Sequence, residues 1–268
     1  MDKNAPIGIF DSGIGGLTVA KAIKELLPNE NLIYFGDTAH LPYGDKSQAM
    51  IQSYSLKICN LLMEHKCKVI VIACNSASAA AYELLKEYVG SRSHIINVVD
   101  PAVKYVKENF SDQKVGLIGT KATVRSGIYK SKIDQQKAGI ELKSLATPLL
   151  VPMIEEGFFN ENISEGIIEQ YLRNEELEHI KALILGCTHY PLIKKQIDKF
   201  YNGNVVSIDS SKEVAKELLQ VLKDNLAIND ESKPFEKFYV SDYTKSFEES
   251  TKIFFGEQVK IEKYPLWS

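Results

Sequence analysis

The sequence contains very little arginine. Only Arg92, Arg125 and Arg173 occur among 32 basic residues, and the net charge is -3. Carboxylate and phosphate ligands are often held by the bidentate guanidinium group. A ligand of this protein should instead be held by backbone N–H groups, hydroxyls and asparagine amides. The slightly acidic charge balance also gives no reason to expect a nucleic-acid partner.

Long apolar runs are missing as well. No apolar segment approaches the ~20 residues that a membrane-spanning helix needs, so no membrane association is expected. The first residues, MDKNAP, do not resemble a secretory signal. We therefore predict a cytoplasmic protein whose thiols are reduced.

The cysteines show none of the familiar paired spacings. The four are Cys59, Cys67, Cys74 and Cys187, and they form neither a C-x2-C metal pattern nor a C-x-x-C redox motif. The sequence therefore predicts no metal site. Cys59 lies within a predicted helix and Cys67 in a turn, so both are expected to be buried, small apolar side chains.

Cys74 follows a short apolar run and precedes a helix-forming segment. The run VIVI at 69–72 is typical of a buried parallel strand, and residues 77–86 are rich in alanine and leucine. Cys74 is thus predicted at the carboxyl end of a strand, where open α/β sheets bind ligands. The N-terminus of the following helix would favour a thiolate there.

Cys187 lies in a second segment of the same form. The run ALILG at 182–186 precedes it, and Thr188 and His189 follow it. Pro191 suits the first turn of a helix that is predicted to continue from Leu192 to Phe200. The sequence therefore predicts two equivalent strand-to-helix junctions, each of which carries a cysteine.

The repeated form of these segments predicts the fold class. We expect an α/β protein with two similar Rossmann-like lobes, mainly parallel sheets and pseudo-two-fold symmetry between the lobes. The active site is expected in the cleft between them. The lobe with Cys74 is predicted to comprise residues 1–97 plus 210–268, and the lobe with Cys187 residues 98–209.

A glycine-rich segment, DSGIGG at 11–16, follows the first predicted strand. It fails the dinucleotide-binding fingerprint because position 18 is Thr18 rather than glycine or alanine. Two interpretations remain open. The glycines form a tight turn, or their N–H groups face a ligand carboxylate.

Two cysteines at one ligand permit a reaction that a single cysteine cannot perform. In a racemisation without cofactor, one group removes the α-proton and a second delivers a proton to the opposite face of the same carbon. A thiol, with a reference pKa of about 8.5, can serve in either role near neutral pH. The candidate tuning groups are Asp11 for Cys74, and Glu155 and His189 for Cys187.

The residues alone leave several alternatives open. The two cysteines could be buried structural groups or a redox pair. Alternatively, one of them could be the nucleophile of a hydrolase, and the other would then have no catalytic role. For a two-base site, the residues alone indicate no more than a proton transfer on a small carboxylate. A nucleotide- or metabolite-binding regulator on a Rossmann-like scaffold, without catalysis, is the alternative from a different class of protein.

Four segments resemble the signature blocks of the aspartate/glutamate racemase family, and within it those of the glutamate racemases. They are FDSGIGGLT at 10–18, DTAHLPYG at 37–44, ACNSAS at 73–78 and LGCTHYPL at 185–192. The blocks have the order and spacing of the family. The one departure is Ser76, where the family often has threonine, and the hydroxyl is kept.

The resemblance implies cofactor-independent interconversion of L- and D-glutamate, which supplies D-glutamate for peptidoglycan synthesis. Aspartate racemase, or another member acting on a related small carboxylate, is the alternative. Cys74 and Cys187 are the implied catalytic pair, supported by Asp11, Glu155 and His189. The predicted substrate contacts are Asp11, Ser12, Pro42, Tyr43, Gly44, Asn75, Ser76, Thr120, Thr188 and His189. A homodimer is expected, with the small-molecule substrate as its ligand.

Overall fold

The computed structural model describes residues 1–158, 162–230 and 233–267. Within these residues the strands are β1 Ile7–Asp11, β2 Leu32–Gly36, β3 Val69–Ile72, β4 His94–Asn97, β5 Lys114–Gly119, β6 Glu141–Ala146, β7 Ala182–Gly186, β8 Val206–Asp209, β9 Glu236–Val240 and β10 Ile261–Lys263. The α-helices of the same residues are α1 Leu17–Leu26, α2 Gln48–Glu64, α3 Asn75–Val89, α4 Val99–Asn109, α5 Lys121–Arg125, α6 Ile128–Gln135, α7 Leu150–Glu155, α8 Asn162–Leu172, α9 Lys194–Tyr201, α10 Ser210–Asp224 and α11 Lys245–Phe255.

The chain divides into two compact units. The first comprises Met1–Val98 and Ser211–Ser268, and the second Val99–Ser210. The division predicted from the sequence places each junction one residue earlier. The first unit is therefore discontinuous, because β9 and β10 join the sheet that contains β1.

The first unit contains a six-stranded parallel sheet in the order β10-β9-β2-β1-β3-β4, counted over the described residues. Each residue of β1, β2 and β3 is buried, as expected for strands covered on both faces. On one face, Phe10, Ile70 and Ile72 pack with Ile58 of α2 and Leu85 of α3. The carboxyl ends of β1, β2 and β3 thus meet at one edge.

The second unit contains a four-stranded parallel sheet in the order β6-β5-β7-β8, over the same part of the chain. Leu117 of β5 and Ile184 of β7 form its core with Val103 and Val106 of α4 and Ile133 of α6. Parallel register pairs Gly119 with Gly186, so β5 and β7 end side by side.

The two sheets share one order of strands. In each, the second strand of the unit lies beside the first, the first beside the third, and the third beside the fourth. The prediction of an α/β protein with two similar, mainly parallel sheets is confirmed. None of the described helices is long and apolar enough to cross a membrane.

Candidate active site

Cys74 caps the N-terminus of α3. The chain leaves β3 at Ile72, and the Sγ atom of Cys74 accepts a hydrogen bond from the N–H of Ala77 at 3.4 Å. The residue is 6% exposed. A helix N-terminus presents free N–H groups and the positive end of the helix dipole, and both stabilise a thiolate. The structure thus places the Cys74 sulfur at the N-terminus of α3.

Asp11 is the last residue of the neighbouring strand β1, and Ser12 follows it. Register pairs Phe10 with Ile72, and the Sγ atom of Cys74 donates to the Oγ atom of Ser12 at 3.6 Å. The Oδ2 atom of Asp11 accepts the N–H of Gly13 at 3.0 Å. The structure therefore brings Ser12 directly to the cysteine.

Gly16 is needed for this arrangement. A Cβ atom at position 16 would lie 2.5 Å from the Cβ atom of Asp11 and 3.0 Å from that of Ala73. The glycine therefore lets the start of α1 pack against the ends of β1 and β3.

Tyr43 connects the loop after β2 to the same edge. Pro42 precedes a single 3-10 turn, Tyr43–Asp45, and the phenol of Tyr43 is 1% exposed. Its OH donates to the Oδ2 atom of Asp37 at 2.7 Å. Burial and the Asp37 carboxylate raise the pKa of Tyr43 far above its usual value, with smaller contributions from Cys74 and Asp11. The phenol therefore stays a neutral donor.

Asn75 and Ser76 form the first turn of α3 and are nearly buried, 4% and 3% exposed.

Sequence reasoning missed Tyr34, whose OH donates to the carbonyl of Gly13 at 2.8 Å. Burial, Asp11 and Cys74 raise the pKa of Tyr34. A tyrosine near the end of a buried strand was the available signal for this residue.

Cys187 follows β7 directly, but the predicted helix does not begin at Pro191. A 3-10 turn spans Tyr190–Ile193, and α9 begins only at Lys194. The N–H of Tyr190 bonds the carbonyl of Cys187, and that of Leu192 bonds the carbonyl of His189, which is 3-10 spacing. Pro191 has no N–H to extend the pattern. The two cysteine junctions are therefore alike in strand position but not in the helix that follows.

Beside Cys187, the ring of His189 supplies the positive charge that the N-terminus of α3 supplies beside Cys74. Its Nδ1 atom lies 3.6 Å from the Sγ atom of Cys187, and its Nε2 atom 3.0 Å from the Oε1 atom of Glu155. Burial opposes a charge on this ring, but the hydrogen bonds and charges of Cys187 and Glu155 raise the pKa of His189 from 6.5 to about 10. The ring is thus an imidazolium at neutral pH, and it donates from both nitrogens.

Three threonines lie just after strands of the second unit. Thr188 lies with its Oγ1 atom 3.5 Å from the Nδ1 atom of His189. Thr120 caps α5 through the N–H of Thr123, and follows the strand beside Cys187. Sequence reasoning missed the third, Thr147, whose hydroxyl lies 2.6 Å from the OH of Tyr190.

The other two cysteines lie within the hydrophobic core. Cys59 and Cys67 are 0% and 2% exposed, and burial raises the pKa of each thiol to about 12. They are thus protonated, apolar side chains. Among the described residues, no cluster of histidine, cysteine and carboxylate side chains has the make-up of a metal site.

Known proteins share both the sequence and the fold. Residues 7–218 match the family model described as Asp/Glu/Hydantoin racemase. The glutamate racemase of Chlorobaculum tepidum is 38% identical over 260 residues, which cover 97% of this chain and 95% of that protein. The glutamate racemase of Aquifex aeolicus is 41% identical over 254 residues, 95% of each. The crystal structure of glutamate racemase from Francisella tularensis in complex with D-glutamate matches with a TM-score of 0.92 at 39% identity, and covers 99% of both chains.

The fold and the similarity over nearly the whole chain define a racemase. The chain belongs to the Asp/Glu/Hydantoin racemase family. The resemblance of the four sequence segments to glutamate racemases is thereby confirmed. The alternative of a regulator without catalysis is set aside.

Proposed function

We propose that the chain interconverts L- and D-glutamate without a cofactor, and that Cys74 and Cys187 are its two acid/base groups. The observation that carries the proposal is their equivalent position. Each cysteine follows the third strand of a sheet with the same strand order. The names of the relatives, and the D-glutamate in the Francisella tularensis structure, support glutamate as the substrate.

The reaction moves one proton off the α-carbon and one proton on. One cysteine, as thiolate, removes the α-proton and leaves a carbanion next to the carboxylate. The other, as thiol, gives its proton to the opposite face. The enantiomer forms, the two cysteines exchange protonation states, and no electrons are transferred. The two cysteines therefore act as one functional pair.

The surroundings of Cys187 support a role as base. An imidazolium that donates through Nδ1 stabilises negative charge on the Sγ atom 3.6 Å away. Glu155 holds the other nitrogen and so keeps the ring charged and oriented. His189 and Glu155 thus act as supporting groups for Cys187.

The surroundings of Cys74 support both protonation states. The N–H of Ala77 donates to the Sγ atom, which favours the thiolate. The Oγ atom of Ser12 accepts from the same sulfur, which favours the thiol. A thiol with both partners can donate a proton when the reaction runs in one direction, and its thiolate can accept one when the reaction runs in the other.

Substrate recognition is assigned to groups at the carboxyl ends of the strands. With three arginines in the chain, the glutamate carboxylates are expected to be held by N–H groups, hydroxyls and an amide. The proposed contacts are Asp11, Ser12, Pro42, Tyr43, Gly44, Asn75, Ser76, Thr120, Thr188 and His189.

Incubation in D2O tests the reaction and its substrate together. L-glutamate and L-aspartate are supplied separately, and the enantiomer formed is resolved by chiral chromatography with mass detection. We expect D-glutamate that carries deuterium at the α-carbon, and much slower turnover of aspartate. Turnover of aspartate alone would assign the chain to the aspartate-specific members. D-glutamate that retains protium would contradict the exchange of thiol protons with solvent.

Serine variants test the two cysteines. Cys74→Ser and Cys187→Ser should each lower kcat by about 10²–10⁴-fold, the usual contribution of a positioned acid or base. Cys59→Ala is the matched control, since this thiol lies within α2 and is kept protonated by burial, and it should keep normal kinetics. Full activity of either serine variant would contradict the two-base mechanism.

Three further expectations rest on the family resemblance. They are a homodimer, a cytoplasmic location, and the supply of D-glutamate for peptidoglycan synthesis. Sedimentation equilibrium tests the first, because a homodimer has twice the 30.1 kDa mass of the chain. Growth of a strain deleted for the gene only in the presence of D-glutamate tests the third.

A further inference from the structure

Asp37 is an acceptor at which three parts of the first unit meet. It follows β2 directly and is 0% exposed. The OH of Tyr43 donates to its Oδ2 atom at 2.7 Å, and the Oγ atom of Ser241 donates to Oδ1 at 2.7 Å. The indole Nε1–H of Trp267 donates to Oδ1 at 2.8 Å. The Nδ1 atom of His40 lies 3.0 Å from both oxygens.

These donors come from distant parts of the sequence. Tyr43 is six residues from Asp37, but Ser241 is 204 and Trp267 is 230 residues away. One carboxylate therefore joins three parts of the chain. They are the loop after β2, the end of β9, and the C-terminal tail that follows β10, residues 264–267. Hydrogen bonds to a charged acceptor are roughly twice as strong as neutral ones, and a buried donor that loses its acceptor is costly.

Trp267 also packs on the loop and on α2. Its ring meets the ring of His40 edge-on at 4.5 Å between centroids, and that of Tyr54 at 5.4 Å. His40 is itself stacked on Tyr54 at 4.0 Å, and the Nζ atom of Lys57 lies 4.8 Å from the centre of the indole. The tail therefore covers one side of the loop that carries Tyr43.

The start of the loop is tied to β9 a second time. The N–H of Ala39 donates to the Oγ atom of Ser241 at 2.9 Å. The hydroxyl of Thr38 donates to the carbonyl of Asp242 at 2.5 Å, and the N–H of Asp242 donates back to that hydroxyl at 2.9 Å. The first residues of the loop are thus held whether or not the tail is present. The tail adds its constraint at Asp37, next to the phenol of Tyr43.

We infer that Asp37 is a positioning residue for the substrate-binding turn at Tyr43 and Gly44, and that the C-terminal Trp267 completes its set of donors. The inference rests on the proposed function, since that function makes the turn a substrate contact. Asp37 acts through Tyr43 and touches no reacting atom. Its loss should weaken substrate binding and leave the proton transfers at the cysteines intact.

Trp267→Phe tests the inference, because it removes the indole N–H and keeps an aromatic ring. We expect KM for both enantiomers of glutamate to rise about fivefold or more, with kcat within about twofold of the original. Lys57→Met is the matched control, since Lys57 lies against the same ring but donates nothing to Asp37. Its KM should remain within about twofold. An unchanged KM for Trp267→Phe, or a loss confined to kcat, would overturn the positioning role.

Asp37→Asn provides a second variant of nearly the same shape. The amide has one accepting oxygen, so the donors at either Oδ1 or Oδ2 lose their acceptor. The same rise in KM is expected. Tyr43→Phe should itself remove the link between Asp37 and the turn. In a Tyr43→Phe background, Trp267→Phe should therefore raise KM little further. Fully additive effects of the two substitutions on KM would show that the tail does not act through this link.

Hydrogen exchange separates failure of this inference from failure of the proposed function. Measured without substrate, the peptide that covers residues 38–46 should exchange faster in Trp267→Phe than in Lys57→Met. Equal exchange in the two variants would overturn the role of Trp267, whatever the enzyme acts on. Faster exchange with an unchanged KM for glutamate would show that the turn does not position this substrate. Absence of glutamate turnover in the unmodified protein would refute the proposed function, and with it the positioning role for glutamate.

Discussion

The imidazolium of His189 should make part of the stability of this protein depend on pH. Its pKa is raised from 6.5 to about 10 by Cys187 and Glu155, against the effect of burial. A pKa raised on folding means that the folded protein holds one more proton at this ring between those two pH values. The stabilisation is fully present below about pH 6.5 and is lost as the pH rises through about 10.

The magnitude follows from the same two values. One bound proton changes the free energy of unfolding by about 1.4 kcal/mol per pH unit, so the ring contributes several kcal/mol in total. The side chain is 7% exposed, and solvent therefore screens the effect little. In His189→Asn this proton is absent, so the difference in stability from the original protein should shrink steadily from pH 6.5 to 10.

Urea denaturation at a series of pH values measures this difference, followed by far-ultraviolet circular dichroism. Glu155→Gln serves as the comparison, since it removes one partner of the ring and keeps Cys187. The free energy of unfolding of this variant should stop depending on the His189 proton at a lower pH than that of the original protein. Parallel stability curves for the original protein and His189→Asn would refute the reasoning. So would a ¹⁵N titration of the ring that places its pKa near 6.5.

Two predictions concern stability elsewhere in the chain. A Cβ atom at Gly36 would lie 2.2 Å from the carbonyl oxygen of Gly13. Gly36→Ala should therefore cost about 2–4 kcal/mol, whereas Gly166→Ala, in open space on α8, should gain about 0.5–1 kcal/mol in urea denaturation. Equal effects would contradict the packing argument. Lys68 pairs with Glu30 at 2.6 Å with both side chains 1% exposed, so Glu30→Gln should cost about 3–5 kcal/mol by the same assay. A loss below about 1 kcal/mol would contradict this expectation, and the carbonyls of Lys3 and Ala227 would then suffice as acceptors for Lys68.

Local sequence patterns predicted the positions of the two cysteines well. Both β3 and β7 are short apolar runs, and the cysteine follows each at the carboxyl edge of a parallel sheet. Such runs are informative because a strand covered on both faces has apolar side chains throughout. The helix after Cys187 begins later than predicted, at Lys194, because a proline at position 191 is compatible with either an α-helix or a 3-10 turn.

The Asp37 cluster could not be predicted in the same way. Two of its donors lie more than 200 residues from it in the sequence, and no local pattern marks them. The tail after Asp242 also carries none of the family's signature segments. The available signals were a carboxylate directly after a buried strand and a single tryptophan in the chain. Neither signal indicates that the two residues meet, since that depends on how β9 and β10 extend the sheet.

The two cysteines are in equivalent positions but have different partners, and the reaction limits what that difference can do. The enantiomers of glutamate have equal free energies in water, so their equilibrium constant is one. For a reversible enzyme, kcat/KM must then be equal in the two directions, in the original protein and in every variant. Under the proposed mechanism, the imidazolium beside Cys187 and the helix N-terminus beside Cys74 therefore cannot favour one enantiomer in kcat/KM. Their difference can appear only in kcat and KM separately, where the more stable protonation state of the free enzyme sets which enantiomer binds more readily.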